Sequence, residues 1–235
     1  MFRYRLVLAR ELPSLEEGKP SPELLSPREH AILAGLTYLP RRRKWLLGRA
    51  AAKRLVRAMG EGEVADHEVS VLNQPSGEPF VLIEGRGAWD RPISISHRNE
   101  IGLAAAPLAP HARIGADVET VEPRDPALIR QFFTDEEAVL VDSGEADRDE
   151  IVARIWSAKE AVLKLLGLGL RIDTRGVVVS FEAGAIAGPS ADVPEGWQPI
   201  RVTVVAPLPR RDGLDNLRVV WRREAGHVLT VAIAG

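Results

Sequence analysis

The 235 residues predict an α+β protein built from two pseudo-equivalent α+β halves that meet at a cleft. Three observations predict it. A tryptophan-led helical segment, WLLGRAAAKRL from Trp45, returns as WSAKEAVLKLL from Trp156, each with a lysine eight residues on (Lys53 and Lys164). A short polar-then-apolar strand comes later in each half, EIGLAAA from Glu100 and HVLTVAI from His227. Short strand patterns surround both helices. The halves are expected at 1–108 and 109–235, with a linker near 107–113.

In chain order, residues 2–9 alternate as a first strand. The proline-, serine- and glutamate-rich segment 13–27 reads as a loop leading to a helix over 27–36. Pro40 opens a long helix, RRRKWLLGRAAAKRLVRAMG, closed by Gly60, in which Leu46, Leu47, Ala50, Leu55 and Ala58 recur at helical spacing. Strands are expected over 68–72, 80–83, 93–96 and 101–106, with turns at 75–77 and 85–87. IGADVE at 114–119 is a further strand, and the prolines of 123–126 break the chain. A helix over 127–132 gives way to FFTDEEAVL, where Thr134 N-caps and Glu137 completes a capping box. After an acidic loop over 142–149, a strong helix covers 150–166 and stops at Gly167 and Gly169. The remainder is β-rich, at 176–181, 200–205, 217–222 and 228–233, and 184–197 is the least ordered-looking stretch.

Composition narrows the function. With 31 basic and 33 acidic residues the net charge is −2, so no global field favours nucleic acid. The absence of cysteine excludes disulfides, thiolate metal sites and cysteine nucleophiles. No apolar run approaches the ~20 residues of a membrane-spanning helix. Residues 1–10 are too arginine-studded for a signal peptide. No partnership with membrane or nucleic acid is expected, and the expected location is cytoplasmic.

Chemistry concentrates in IGADVE and the helix about forty residues later. Alternate strand residues point to opposite faces, so Ile114, Ala116 and Val118 share one face and Gly115, Asp117 and Glu119 the other. Two carboxylates then lie roughly 7 Å apart, with the glycine expected to leave open space beside them. Like charges so close repel unless a cation sits between them. The helix adds a third acid, Glu160, with Lys164 one turn on and Lys159 inside the apolar stripe. An isolated E-x-x-x-K pair or D-x-E strand is ordinarily a solvated feature. Three acids with nearby cations suggest a Mg²⁺ site that handles a phosphorylated substrate. Ser96 and His97, expected where one strand ends and another begins, can both donate to a phosphate oxygen. The basic run RRRK at 41–44 (Arg41 foremost), with Arg49, sits at a helix N-terminus against the macrodipole, an arrangement more easily understood if a polyanion docks there. No glycine-rich G-x-x-x-x-G-K-S/T loop is present, which argues against an ordinary nucleotide phosphotransferase.

These motifs resemble those of the Sfp-type 4′-phosphopantetheinyl transferases, or holo-acyl-carrier-protein synthases. The G-x-D-x-E strand is matched by Gly115, Asp117 and Glu119, F-F-x-x-x-E by Phe132, Phe133 and Glu137, and W-x-x-K-E-x-x-x-K by Trp156, Lys159, Glu160 and Lys164. An upstream S-x-S-H is matched at 94–97, a basic helix ending in G-R at Gly48 and Arg49, and SPREH begins at Ser26. The likeness spans about 26–170. It implies the 4′-phosphopantetheinyl transferase fold, with coenzyme A bound in the cleft between the halves as substrate. It implies Mg²⁺ held by Asp117, Glu119 and Glu160, with Glu160 as base for the serine of an apo acyl or peptidyl carrier protein. Lys164 would stabilise the departing 3′,5′-ADP, and Arg41, Arg49, Ser96 and His97 would grip the phosphates of coenzyme A. Glu137 either supports the active-site loop or only caps its own helix. One chain would supply both walls of the cleft, so a monomer is expected, serving fatty-acid, polyketide or nonribosomal-peptide synthesis. Two departures stand out: Glu78 occupies a turn where many relatives carry a cation, and Asn73 a position that is sometimes arginine. The alternative is a catalytically idle relative that binds coenzyme A or carrier protein in a regulatory or scaffolding role. Retention of Asp117, Glu119, Glu160 and Lys164 argues against it, because binding alone needs no base.

Overall fold

The computed structural model describes residues 1–60, 63–143, 147–169, 172–181, 194–205, 214 and 216–235. The α+β class holds, in two compact units, Phe2–Ala112 and Arg113–Gly235. Of the stretch expected to be least ordered, 184–193 lies outside the described residues, as do 144–146 of the acidic loop. No helix among the described residues is long and apolar enough to cross a membrane.

In the first unit, β1 (Phe2–Leu8) pairs antiparallel with β6 (Ile101–Pro107), which pairs in turn with β5 (Ser94–Arg98). A second sheet holds β2 (Val69–Asn73), β3 (Pro79–Ile83) and β4 (Gly87–Ala88). Helix α1 (Pro27–Ala34) starts on a reciprocal cap between Ser26 and Glu29. Helix α2 (Leu39–Ala58) buries Leu46, Leu47, Ala50, Ala51, Ala52, Leu55 and Val56. Gly102 of β6 lets the α2 backbone lie close to the sheet: a Cβ there would sit 2.6 Å from the Leu47 carbonyl oxygen.

The basic run at the start of α2 is explained in part without a polyanion. Arg42 donates to the carbonyls of Gly18, Leu33 and Leu36, and Arg43 to that of Glu16. Two of the four cations thus tie the preceding loop and helix end to α2, satisfying backbone oxygens that helix ends leave exposed.

In the second unit, β7 (Arg113–Thr120), β11 (His227–Ala234), β10 (Arg218–Glu224), β9 (Gln198–Val204) and β8 (Val177–Ser180) form one antiparallel sheet in that order. Three helices accompany it: α3 (Pro126–Phe132), α4 (Asp135–Asp142) and α5 (Arg148–Leu165), the last capped by Asp147. Helix α5 buries Ile155, Ala158, Ala161, Val162 and Leu163 in a core shared with Val228 and Trp221.

The internal repeat is present, but in a register the tryptophans do not mark. In the first unit Glu29 accepts from Val71 N (3.0 Å) and pairs with Lys53 (2.6 Å), and Lys53 also donates to the Asp66 (2.7 Å) and Val69 carbonyls. In the second, Glu137 accepts from Val179 N (2.7 Å) and pairs with Lys159 (2.8 Å), and Lys159 also donates to the Thr174 (3.1 Å) and Val177 (2.6 Å) carbonyls. All four charged side chains are fully buried. Each unit therefore fastens its capped short helix, its long helix and a following strand with one Glu–Lys pair. Lys53 corresponds to Lys159, not Lys164, so the Trp45–Trp156 alignment is five residues out of step.

Candidate active site

Strand β7 is buried from Ile114 to Glu119 because β11 flanks it and α5 lies across it. Gly115 does not leave open space. A Cβ there would fall 1.9 Å from the Ala161 carbonyl oxygen and 2.6 Å from Leu165 N, so the glycine admits the backbone of α5 itself. That close approach sets Glu160 and Lys164 beside Asp117. The Lys164 ammonium lies 2.7 Å from Asp117 Oδ1, 3.1 Å from the Ala116 carbonyl oxygen and 3.8 Å from Glu160 Oε2. Asp117 is 1% exposed, whereas the side chains of Lys164 (28%) and Glu160 (18%) reach solvent, so the cluster is buried at its root and open at its tips.

The electrostatics follow from that placement. Burial, then the negative charge of Asp117, push the Glu160 carboxyl up to about 8; Lys164 opposes them, and Glu119 and a hydrogen bond with Asp117 add to the rise. Burial pulls the Lys164 ammonium down, but Asp117 and Glu160 outweigh it and leave it above its usual value. Near neutrality Glu160 is therefore a protonated acid sharing its site with Asp117.

The third acid also has a cation of its own. Glu119 Oε2 accepts from Arg124 Nη2 at 2.6 Å, and Arg124 also donates to the Thr120 carbonyl at 3.2 Å. The structure brings Asp117, Glu160 and Lys164 together, while Glu119 acts on Glu160 through its field and is ion-paired to Arg124. Among the described residues no group of three His, Cys, Asp or Glu side chains stands ready to hold a metal ion. The donor chemistry nevertheless suits a hard divalent cation. All three side chains offer carboxylate oxygens, and their mutual repulsion, which adds to the lift that burial gives Glu160, is what such a charge relieves. Thr230 of β11, directly opposite Asp117 in the sheet, contributes a fully buried hydroxyl with no hydrogen-bond partner among the described residues.

The expected phosphate-gripping residues lie in the first unit. Arg49 is buried: its Nη2 donates to Asn73 Oδ1 (3.0 Å), Nε lies 3.7 Å from Glu29, and the guanidinium stacks 4.6 Å over the Trp45 ring. Burial lowers it to about 10, against the pull of Glu29. Asn73 is thus a neutral acceptor for Arg49, where an arginine would face it as a like charge. Glu78 sits in an exposed turn, its N–H on Ser76 Oγ at 3.4 Å. Arg41, exposed, lies one turn before Trp45 on the same helix face and makes no ion pair among the described residues.

Ser96 and His97 are the last residues but two and but one of β5, shortly before β6 begins, and as neighbours they face opposite ways. His97 is exposed on the face toward α2, where a Cβ on Gly48 would come 3.8 Å from its ring and 3.0 Å from Ile95. Ser96 is buried on the other face.

Glu137 does more than cap its own helix. It caps Thr134 N at 2.8 Å and, through Lys159, anchors the helix that carries Glu160. Sequence reasoning missed Arg124, which lies in a loop without periodicity, and Thr230, whose only signal was a polar residue within an otherwise apolar strand.

The model of the 4′-phosphopantetheinyl transferase superfamily matches residues 113–194. A 4′-phosphopantetheinyl transferase of Bacillus pumilus is 27% identical over 157 residues, 66% of this chain and 62% of that protein. A protein of Synechocystis sp. described as a putative 4′-phosphopantetheinyl transferase is 31% identical over 100 residues, 41% of this chain and 39% of that protein. The chain thus spans less than two thirds of either relative's length. Among solved structures, the holo-[acyl-carrier-protein] synthase of Thermotoga maritima gives a TM-score of 0.38 at 19% identity, covering 52% of this chain and 62% of that one. A holo-(acyl-carrier-protein) synthase of Bacillus anthracis, solved with CoA (3′,5′-ADP), gives 0.37 at 20% identity, covering 45% and 91%. The family model and the two relatives bear out the resemblance read from the motifs.

Proposed function

We propose that this chain, a relative of the 4′-phosphopantetheinyl transferases, moves the 4′-phosphopantetheine arm of coenzyme A onto a serine of an apo carrier protein and releases 3′,5′-ADP. The observation that carries this reading is the Asp117–Glu160–Lys164 cluster, with its carboxyl lifted to about 8. The family match at 113–194 covers all three residues and supports the reaction class.

Asp117, Glu119 and Glu160 would hold Mg²⁺, which when bound supplies the positive charge that a diphosphate undergoing substitution needs. Glu160 takes the proton of the carrier serine as a bond forms from serine Oγ to the β-phosphorus. The bond from that phosphorus to the 3′,5′-ADP oxygen breaks, and the electron pair leaves with the nucleotide. To accept a proton Glu160 must first release the one it holds near neutrality, and positive charge beside Asp117 makes that release easier. Lys164, fixed by Asp117 and the Ala116 carbonyl, stands one helical turn from Glu160 with its tip toward solvent, suited to meet the negative leaving oxygen. Arg41, Arg49, Ser96 and His97 are the remaining cationic or hydrogen-bonding groups assigned to the phosphates of coenzyme A. The setting proposed is a cytoplasmic monomer serving acyl or peptidyl carriers.

The test is direct. The protein is incubated with apo carrier protein, coenzyme A and Mg²⁺, and the carrier is weighed intact. The expected result is a gain of one phosphopantetheine arm that disappears with EDTA. A carrier of unchanged mass, despite measured coenzyme A binding, would instead make the chain an idle binder.

A further inference from the structure

Arg124 lies in the loop 121–125 between β7 and α3, bracketed by Pro123 and Pro126. Its guanidinium faces two acids of different character. Nη2 is 2.6 Å from Glu119 Oε2, whose side chain is 7% exposed, and Nη1 is 3.5 Å from Glu122 Oε1, whose side chain is 36% exposed. A third contact, to the Thr120 carbonyl at 3.2 Å, keeps the planar fork at the end of β7.

We propose that Arg124 is an exchangeable counter-ion of the acid cluster, resting on Glu119 in the metal-free protein and passing to Glu122 when a divalent cation takes Glu119. This rests on the reading of Asp117, Glu119 and Glu160 as a divalent-cation site, and adds what controls its occupancy. A monovalent guanidinium on a buried carboxylate competes with a divalent ion for the same negative charge. Glu122 makes the exchange possible, because Arg124 keeps a carboxylate partner after leaving Glu119 and no cation is stranded in a half-buried position. The second partner at the surface is the observation that separates an exchangeable ion from a fixed brace, which would need only Glu119. Lys164 plays the corresponding role at Asp117, but it is carried by the same helix as Glu160 and pairs within the cluster itself. Arg124 is the movable member.

The experiment titrates the full chain with Mn²⁺, reading free Mn²⁺ by electron paramagnetic resonance, without coenzyme A. Arg124→Gln is expected to bind Mn²⁺ about tenfold more tightly than wild type. Glu122→Gln is expected to bind it severalfold more weakly, since the arginine then has nowhere to go. In the double variant, affinity should return to that of Arg124→Gln alone, because Glu122 matters only through the arginine. Equal or weaker binding by Arg124→Gln overturns the proposal and makes Arg124 a brace for Glu119. An equal loss from Glu122→Gln in both backgrounds also overturns it, by showing that Glu122 acts through net charge. If neither wild type nor Arg124→Gln binds Mn²⁺, the acid-cluster reading itself fails; binding that is indifferent to Arg124 sinks only the counter-ion.

Discussion

Glu160→Gln is expected to lower turnover by about 10²–10⁴-fold, the usual contribution of a positioned general base, and at the same time to make the metal-free protein more stable in alkaline solution. Both effects have one cause. The carboxyl of Glu160 is held at about 8, above the ordinary 4.5, so the native state keeps a proton that the unfolded chain has lost between those values. Stability linked to that proton is present in full below about pH 4.5 and is lost as the pH rises through 8. Glutamine keeps the shape and the hydrogen bonding but cannot ionise, so the decline flattens across that window. Denaturant midpoints measured from pH 5 to 9 without metal, beside carrier-modification rates with Mg²⁺, check the two halves of the prediction. A variant that loses activity but keeps the wild-type pH profile of stability would detach the lifted carboxyl from position 160.

Glu137→Ala is expected to cost about 3–5 kcal/mol of stability, the range for breaking a buried ion pair by removing one partner. Lys159 is fully buried, and burial already pulls its ammonium down against the support of Glu137. Without the glutamate its charge is left to the Thr174 and Val177 carbonyls and the more distant field of Asp173, and the Val179 and Thr134 N–H groups lose their acceptor. Urea unfolding measures the loss. The double variant Glu137→Leu/Lys159→Met is expected to recover most of it, since well-packed apolar residues often replace a buried pair at little cost. If Glu137→Ala changed stability by less than about 1 kcal/mol, the fastening of α4, α5 and β8 would have to lie elsewhere.

What could be read from the sequence, and what could not, divides along physical lines. The elements were legible because period and punctuation mark them: the Ser26–Glu29 and Thr134–Glu137 capping boxes, Pro40 in the first turn of α2 and Gly167 after α5 all mark helix ends in the structure. Asp117, Glu160 and Lys164 were legible because strand alternation and helical spacing place them without tertiary knowledge. Three features were not. Gly115 looked like open space because a missing side chain reads the same whether solvent or another backbone fills the gap. The repeat was misaligned because tryptophans attract the eye, whereas its register is kept by Lys53 and Lys159, two lysines inside apolar stripes that only their buried glutamates explain. Arg124 was invisible because loops carry no period, and its meaning comes only from where its fork lands.

The central claim is that Asp117, Glu119 and Glu160 crowd one another enough to bind a divalent cation at the price of one proton. It is tested most directly by following the side-chain carboxyl ¹³C shift of Glu160 against pH, with and without Mg²⁺. The account predicts a midpoint near 8 in the metal-free protein and a shift to lower pH on adding Mg²⁺. A carboxyl that titrates near 4.5 and does not respond to Mg²⁺ would contradict it.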